Sequence, residues 1–153
     1  MGADLQLTVD KFTFRVPADR SYTADGVWVQ RVGDDDPVRV RLGVTDFVQQ
    51  HSGDMTFVHT RPAGTRVLRG EEFAAIETVK VDVSLVAPVA GRVVEVNDAL
   101  ETAPEMVNQD PYGAGWLAVV EATNWAAERG ALLEPEAYLA VMKQQATSEA
   151  EAR

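Results

Sequence analysis

Phe73-Ala74-Ala75-Ile76-Glu77-Thr78-Val79-Lys80-Val81-Asp82-Val83-Ser84-Leu85-Val86 is an apolar, β-branched run interrupted by a lysine. Phe73 to Lys80 and Val81 to Pro88 read as two strand-like halves about a centre near Lys80. No Gly, Asn or Pro stands at that centre, so turn chemistry alone does not place a hairpin there. Periodicity alone makes Lys80 an ordinary surface lysine, because a lysine in a strand usually points at water.

Outward from this run, the chain alternates short β-rich segments with turn residues. Downstream, Ala87-Pro88-Val89-Ala90-Gly91 is a turn and Arg92 to Asn97 a strand. Residues 98–115 are loop-rich, and Trp116 to Glu121 is a further strand. Upstream, Phe12 to Val16 ends at Pro17, and Ala18 to Asp25 is polar and irregular. Val27-Trp28-Val29-Gln30-Arg31-Val32 is rich in β-formers. After the Asp34-Asp35-Asp36-Pro37 turn, Val38-Arg39-Val40-Arg41-Leu42-Gly43-Val44 alternates apolar with basic residues and pairs back on the preceding strand. Thr45 caps a short helix over Asp46 to Gln50, and Met55 to His59 is another strand. Residues 123–130 form a short helix. Pro135 opens a last helix to about Gln145, with Ala137, Tyr138, Val141 and Met142 as its apolar face. Residues 1–11 form a loose leader and 147–153 a frayed tail. About seven strands at roughly ten-residue spacing predict one mainly β sandwich or barrel, core about 12–145, with peripheral helices.

Twenty-four acidic against 14 basic residues give a net charge of -10. That repels nucleic acid and anionic membranes and keeps the surface soluble, which fits a monomer. Cysteine is absent, so thiol chemistry has to come from an attached group. The first residues carry no basic region followed by an apolar run, and no segment is long enough to span a membrane; the expected location is cytoplasmic. His51 and His59 lack acidic companions at ligand spacing. Ser52 and Ser84 lack a nucleophile-elbow context. Read by itself, the sequence contains no catalytic constellation.

Several separated segments carry a resemblance. Glu77-Thr78-Val79-Lys80, Ala87-Pro88-Val89-Ala90-Gly91-Arg92-Val93-Val94-Glu95-Val96-Asn97 and Pro104-Glu105-Met106-Val107-Asn108-Gln109-Asp110-Pro111-Tyr112-Gly113-Ala114-Gly115-Trp116-Leu117 resemble the H protein of the glycine cleavage system. Val16-Pro17-Ala18-Asp19, Tyr22-Thr23, Trp28-Val29, Gly43-Val44-Thr45-Asp46-Phe47 and Gly53-Asp54 stand in the family's order. The match covers about residues 16–145. The resemblance implies a lipoyl-domain-like barrel-sandwich hybrid with a C-terminal helix, and a non-catalytic carrier. Lys80 matches the lysine that bears lipoic acid in amide linkage at a hairpin tip. Val79 and Val81 would flank that tip, and Glu77 would belong to the surface that a lipoate ligase or lipoyl transferase reads. The implied partners are glycine decarboxylase, aminomethyltransferase and dihydrolipoamide dehydrogenase.

Two positions depart from the family. Where its members typically have Glu before the first tryptophan, this chain has Val27; where they usually have Asp four residues after the lysine, it has Ser84. Both family carboxylates help hold a cationic aminomethyl cargo, with Asp25 or Asp82 as candidate replacements. An H-like lipoate-binding protein carrying sulfur among heterodisulfide-reductase-like sulfur oxidation enzymes is therefore the alternative expectation.

Overall fold

The computed structural model describes residues 4–152. Its strands, in chain order, are β1 (Leu5–Val9), β2 (Phe12–Val16), β3 (Ser21–Tyr22), β4 (Val27–Arg31), β5 (Arg39–Val44), β6 (Met55–Thr60), β7 (Arg66–Val67), β8 (Glu72–Thr78), β9 (Asp82–Val86), β10 (Gly91–Val96) and β11 (Ala118–Ala122). Four α-helices punctuate them: α1 (Asp46–Ser52), α2 (Met106–Gln109), α3 (Trp125–Glu128) and α4 (Pro135–Ala152). Two sheets carry the fold, one in the order β3-β4-β5-β11-β10-β7 and one in the order β6-β8-β9. All pairings are antiparallel. Among the described residues, no helix is long and apolar enough to cross a membrane.

The alternation in the sequence explains why the sheets face each other. Val27, Val29, Val40, Leu42 and Val44 from one sheet share a core with Phe73, Ile76 and Leu85 from the other, joined by Val93 and Val120. Period-2 strands place these residues on one face, and burying them supplies the main driving force. The expected mainly β sandwich stands, as open sheets and with more strands than about seven. The additional ones are short or terminal: β1, β3 and β7.

A second, aromatic core lies on the other face of β4. Trp28, between the inward Val27 and Val29, packs with Phe14, Tyr22, Phe47, Tyr112, Tyr138 and Met142. Its indole N–H donates to the Pro111 carbonyl at 2.9 Å. Opposite Trp28 in the ladder stands Gly43, where a Cβ would lie 2.4 Å from the indole; no other residue leaves room for the ring. Tyr22 stacks on Tyr138 with centroids 4.7 Å apart, and the Tyr138 and Thr45 hydroxyls share a hydrogen bond of 2.7 Å. Thr45 is also the N-cap of α1, as the sequence indicates.

Three local expectations need correction. Residues 5–9 are not loose: they pair with β2 from Leu5↔Val16 to Val9↔Phe12 and pack against the aromatic core. Residues 1–3 lie outside the described residues. The final helix does not fray after Gln145 but runs to Ala152, its Ala- and Glu-rich end being helix-favouring. Its buried face is Pro135, Tyr138, Met142 and Ala146, while Ala137 is exposed and Val141 only half-buried. The loop-rich segment 98–115 also holds a 3-10 turn at Asp98–Glu101 and α2.

Candidate functional site

β8 and β9 form the hairpin that the opening run suggests, with Ile76↔Val83 and Glu77↔Asp82 in register. Lys80 is the middle of the three residues that connect them. The Thr78 N–H donates to the Val81 carbonyl at 2.9 Å, which closes the hairpin around Val79 and Lys80. The return bond is not made by the Thr78 carbonyl. Instead the Thr78 hydroxyl accepts from the Lys80 N–H at 3.2 Å and the Val81 N–H at 3.0 Å. The same hydroxyl donates to the Val81 carbonyl at 2.9 Å. One side chain thus satisfies the tip without any left-handed residue there; among the described non-glycine residues only Asp10 has a positive φ. The sequence did carry this signal, since threonine hydroxyls mimic a turn's backbone bonds. It lies in Thr78 and not in the Gly, Asn or Pro that a hairpin is usually sought by.

The tip is held against a second loop. The Val79 N–H points at the Asp54 carbonyl, 3.4 Å away. Asp54 follows Gly53, which ends α1 at φ 89° and ψ -166°, a region that only glycine enters without strain. A Cβ on Gly53 would stand 3.3 Å from Cε of Lys80 and 4.0 Å from its Cδ and Cγ. The aliphatic stem of Lys80 therefore leans over the bare face of Gly53.

Asn108, on α2, fixes that loop. Its amide nitrogen donates to the Gly53 carbonyl at 2.9 Å and to Oε1 of Gln49 at 3.3 Å. Its side-chain oxygen accepts from the Met55 N–H at 2.9 Å. The sequence of this loop-rich segment gives no helix signal at α2, so nothing local marks Asn108 as a positioning residue. The β10–β11 pairing and the Asn97 amide, which donates to the Ala114 and Trp116 carbonyls, bring the segment back beside α1.

Exposure at the tip is high. Lys80 is exposed and makes no ion pair among the described residues. Val79 is 77% and Val81 44% exposed, too apolar for a tip that serves only to turn the chain. Glu77 and Asp82, both exposed, face each other at the last in-register pair. With Asp54 they give this end of the molecule three carboxylates, against the single charge of Lys80.

The two departures occupy different places. Val27 is fully buried in the inter-sheet core, opposite Val44. Ser84 is exposed on β9, and its hydroxyl donates to the Glu72 carboxylate. Of the two candidate replacements, Asp25 lies exposed in the turn before β4 and Asp82 lies next to the tip. The histidines stand apart from Lys80 in role. His51 stacks on Phe47 and contacts Glu149 of α4 at 2.6 Å, while His59 lies edge-on to Phe57 on β6.

Comparison with known proteins gives one consistent result. The family model described as "Glycine cleavage H-protein" matches residues 20–145. The glycine cleavage system H protein of Mycobacterium avium is 46% identical over 126 residues, covering 80% of this chain and 93% of that protein. The probable glycine cleavage system H protein of Natronomonas pharaonis is 52% identical over 110 residues, covering 72% and 84%. The crystal structure of a glycine cleavage system H protein from Mycobacterium marinum superposes with a TM-score of 0.73 at 37% identity, covering 82% of this chain and 97% of that one. A family model spanning most of the chain, relatives over nearly their whole length and a shared fold agree: the chain belongs to the glycine cleavage H-protein family.

Proposed function

We propose that this protein is the lipoyl carrier of a glycine cleavage system, with lipoic acid in amide linkage to Nζ of Lys80. The observation that carries the proposal is an exposed lysine, without an ion-pair partner among the described residues, at the tip of a tight hairpin in a chain of this family. The residues present fit the group. The tip is narrow, Gly53 leaves the lysine stem unobstructed, and the exposed Val79 and Val81 offer apolar surface beside it. The lipoyl dithiolane supplies the sulfur redox and group-carrying chemistry that a chain without cysteine lacks.

The chain's own residues present and steer that arm. Thr78 holds the tip in one shape. Glu77, with Val79 and Val81, forms the surface read by a lipoate ligase or lipoyl transferase. Amide formation removes the Lys80 charge, which leaves Asp54, Glu77 and Asp82 to bias the tip toward basic partner surfaces. The carrier would serve glycine decarboxylase, aminomethyltransferase and dihydrolipoamide dehydrogenase in turn, moving the aminomethyl unit and then reducing equivalents. It would act as a non-catalytic monomer in the cytoplasm.

Burial of Val27 and engagement of Ser84 by Glu72 keep the sulfur-carrier reading as the alternative, because neither position offers a carboxylate to a cationic cargo. Co-expression with a lipoate ligase, followed by intact-mass and peptide mass spectrometry, tests the first step. Wild type gains lipoyl mass on Lys80, and Lys80→Arg folds normally and gains none; an unmodified wild type refutes the carrier. Glycine–bicarbonate exchange with a partner decarboxylase then separates the cargoes, since a lipoylated protein that supports no exchange is not a glycine cleavage carrier.

A further inference from the structure

The outer face of the six-stranded sheet carries one cross-strand row, Arg66, Arg92, Glu121 and Arg39, each directly opposite the next. Glu121 is taken by Arg39, with both Nε and Nη2 at 3.3 Å. Arg66 and Arg92 remain, directly opposite on β7 and β10, both exposed, and neither forms an ion pair among the described residues. Like charges directly opposite in an antiparallel pair oppose pairing. The carboxylate opposite Arg92, Glu121, is engaged by Arg39, although the chain carries ten more acidic than basic residues.

These two arginines line an open groove of about 420 Å³. Its other carboxylate, Glu71, is engaged by the Leu68 N–H at 2.6 Å. Leu68, two residues beyond Arg66, is 66% exposed. The groove therefore presents two guanidinium forks without an ion-pair partner among the described residues and, two residues beyond Arg66, an exposed leucine. Guanidinium forks match carboxylates in paired hydrogen bonds, and Leu68 beside them adds apolar surface for a segment that carries both kinds of group.

We propose that this groove is a docking surface for an acidic segment of a partner protein, with two carboxylates on the arginine pair and an apolar side chain over Leu68. The mixed character favours a peptide over a free anion, which would leave Leu68 uncovered. The groove lies at the end of β8 remote from Lys80. Seven strand residues, Glu72–Thr78, separate the two ends, a span of roughly 20 Å. A partner held there leaves the hairpin tip free, and the proposal does not depend on what Lys80 carries.

The test is an NMR titration of the isotope-labelled full chain with the peptide acetyl-Glu-Ser-Glu-Ser-Leu-amide. The controls are its Lys-Ser-Lys-Ser-Leu counterpart and inorganic phosphate. Saturable shifts are expected at the Arg66 and Arg92 side chains and at residues 66–68 and 91–93. The affinity should weaken with salt and fall by about tenfold per arginine in Arg66→Gln and Arg92→Gln. Absence of saturation, shifts spread equally over other arginines, an unchanged double variant, or the same shifts with phosphate alone would each overturn the proposal. Arg66→Glu supplies an independent readout. Arg66 stands on the edge strand with only Arg92 opposite it, so the change replaces a like-charged pair by an opposite-charged one, and the thermal midpoint should hold or rise while peptide binding disappears. A lowered midpoint would make Arg66 a structural residue and sink the docking role.

Discussion

Replacing Thr78 by valine keeps the shape and β-preference of the side chain and removes only its hydroxyl. Three hydrogen bonds go with it: two accepted from the Lys80 and Val81 N–H groups and one donated to the Val81 carbonyl. A hydrogen bond is worth about 0.5–1.5 kcal/mol net. At an exposed tip the freed groups regain water, so the low end applies and the sum is about 1.5 kcal/mol. This cost falls on the tip first, because the Glu77↔Asp82 pair and those below it are untouched. Native-state amide exchange of Lys80 and Val81 is the direct assay. About 1.4 kcal/mol is a tenfold change in an opening equilibrium, so Thr78→Val should speed exchange at these two amides by roughly tenfold. Thr78→Ser, which keeps the hydroxyl, should stay near wild type. Exchange in Thr78→Val within twofold of wild type, or a serine variant that behaves like valine, would refute the assignment of the turn to this hydroxyl.

Four further perturbations separate the parts of the fold. Gly53→Ala forces a Cβ into a glycine-only conformation against the Lys80 stem; a loss of about 1–3 kcal/mol should appear in the denaturant midpoint. Val27→Glu, which restores the carboxylate expected there, puts a charge into a fully buried site and should destabilise by several kcal/mol, on the order of 3–5. Ser84→Asp on the exposed face should change stability by about 0.5 kcal/mol or less, so equal losses from the two would contradict the core assignment. Burial raises the Tyr22, Tyr112 and Tyr138 hydroxyls above their ordinary value, Tyr138 to about 12. Above pH 10 the unfolded chain releases these protons and the native chain keeps them, so stability is full below pH 10 and declines through pH 12. Ultraviolet phenolate titration should show these tyrosines ionising together with unfolding; free ionisation of the folded chain would argue against their burial.

Much of the fold was legible because its signals are local. Alternation in Val38 to Val44 states which face of β5 is inward, Thr45 marks a helix start by its side chain, and Pro135 opens α4 because its missing N–H costs nothing there. Lys80 was legible only through the segments around it, since one lysine in a strand has no signature of its own. The Thr78 hydroxyl lies next to the tip in sequence, but a threonine at a strand end reads first as a β-former.

What sequence alone determined is the period-2 pattern, the helix starts, the absence of thiol chemistry and, through the family resemblance, the singling out of Lys80. Tertiary structure decided what depends on residues far apart in the chain. Leu5–Val9 becomes a strand because β2 supplies its hydrogen bonds and α4 and the aromatic core cover it. Asn108 reaches the Gly53 loop across 55 residues. Val27 is closed off by a sheet partner and a facing sheet, and Arg66 meets Arg92 only when β7 pairs with β10. Local propensity and periodicity act within a few residues, whereas packing, charge pairing and close approach to a glycine exist only once the sheets have formed.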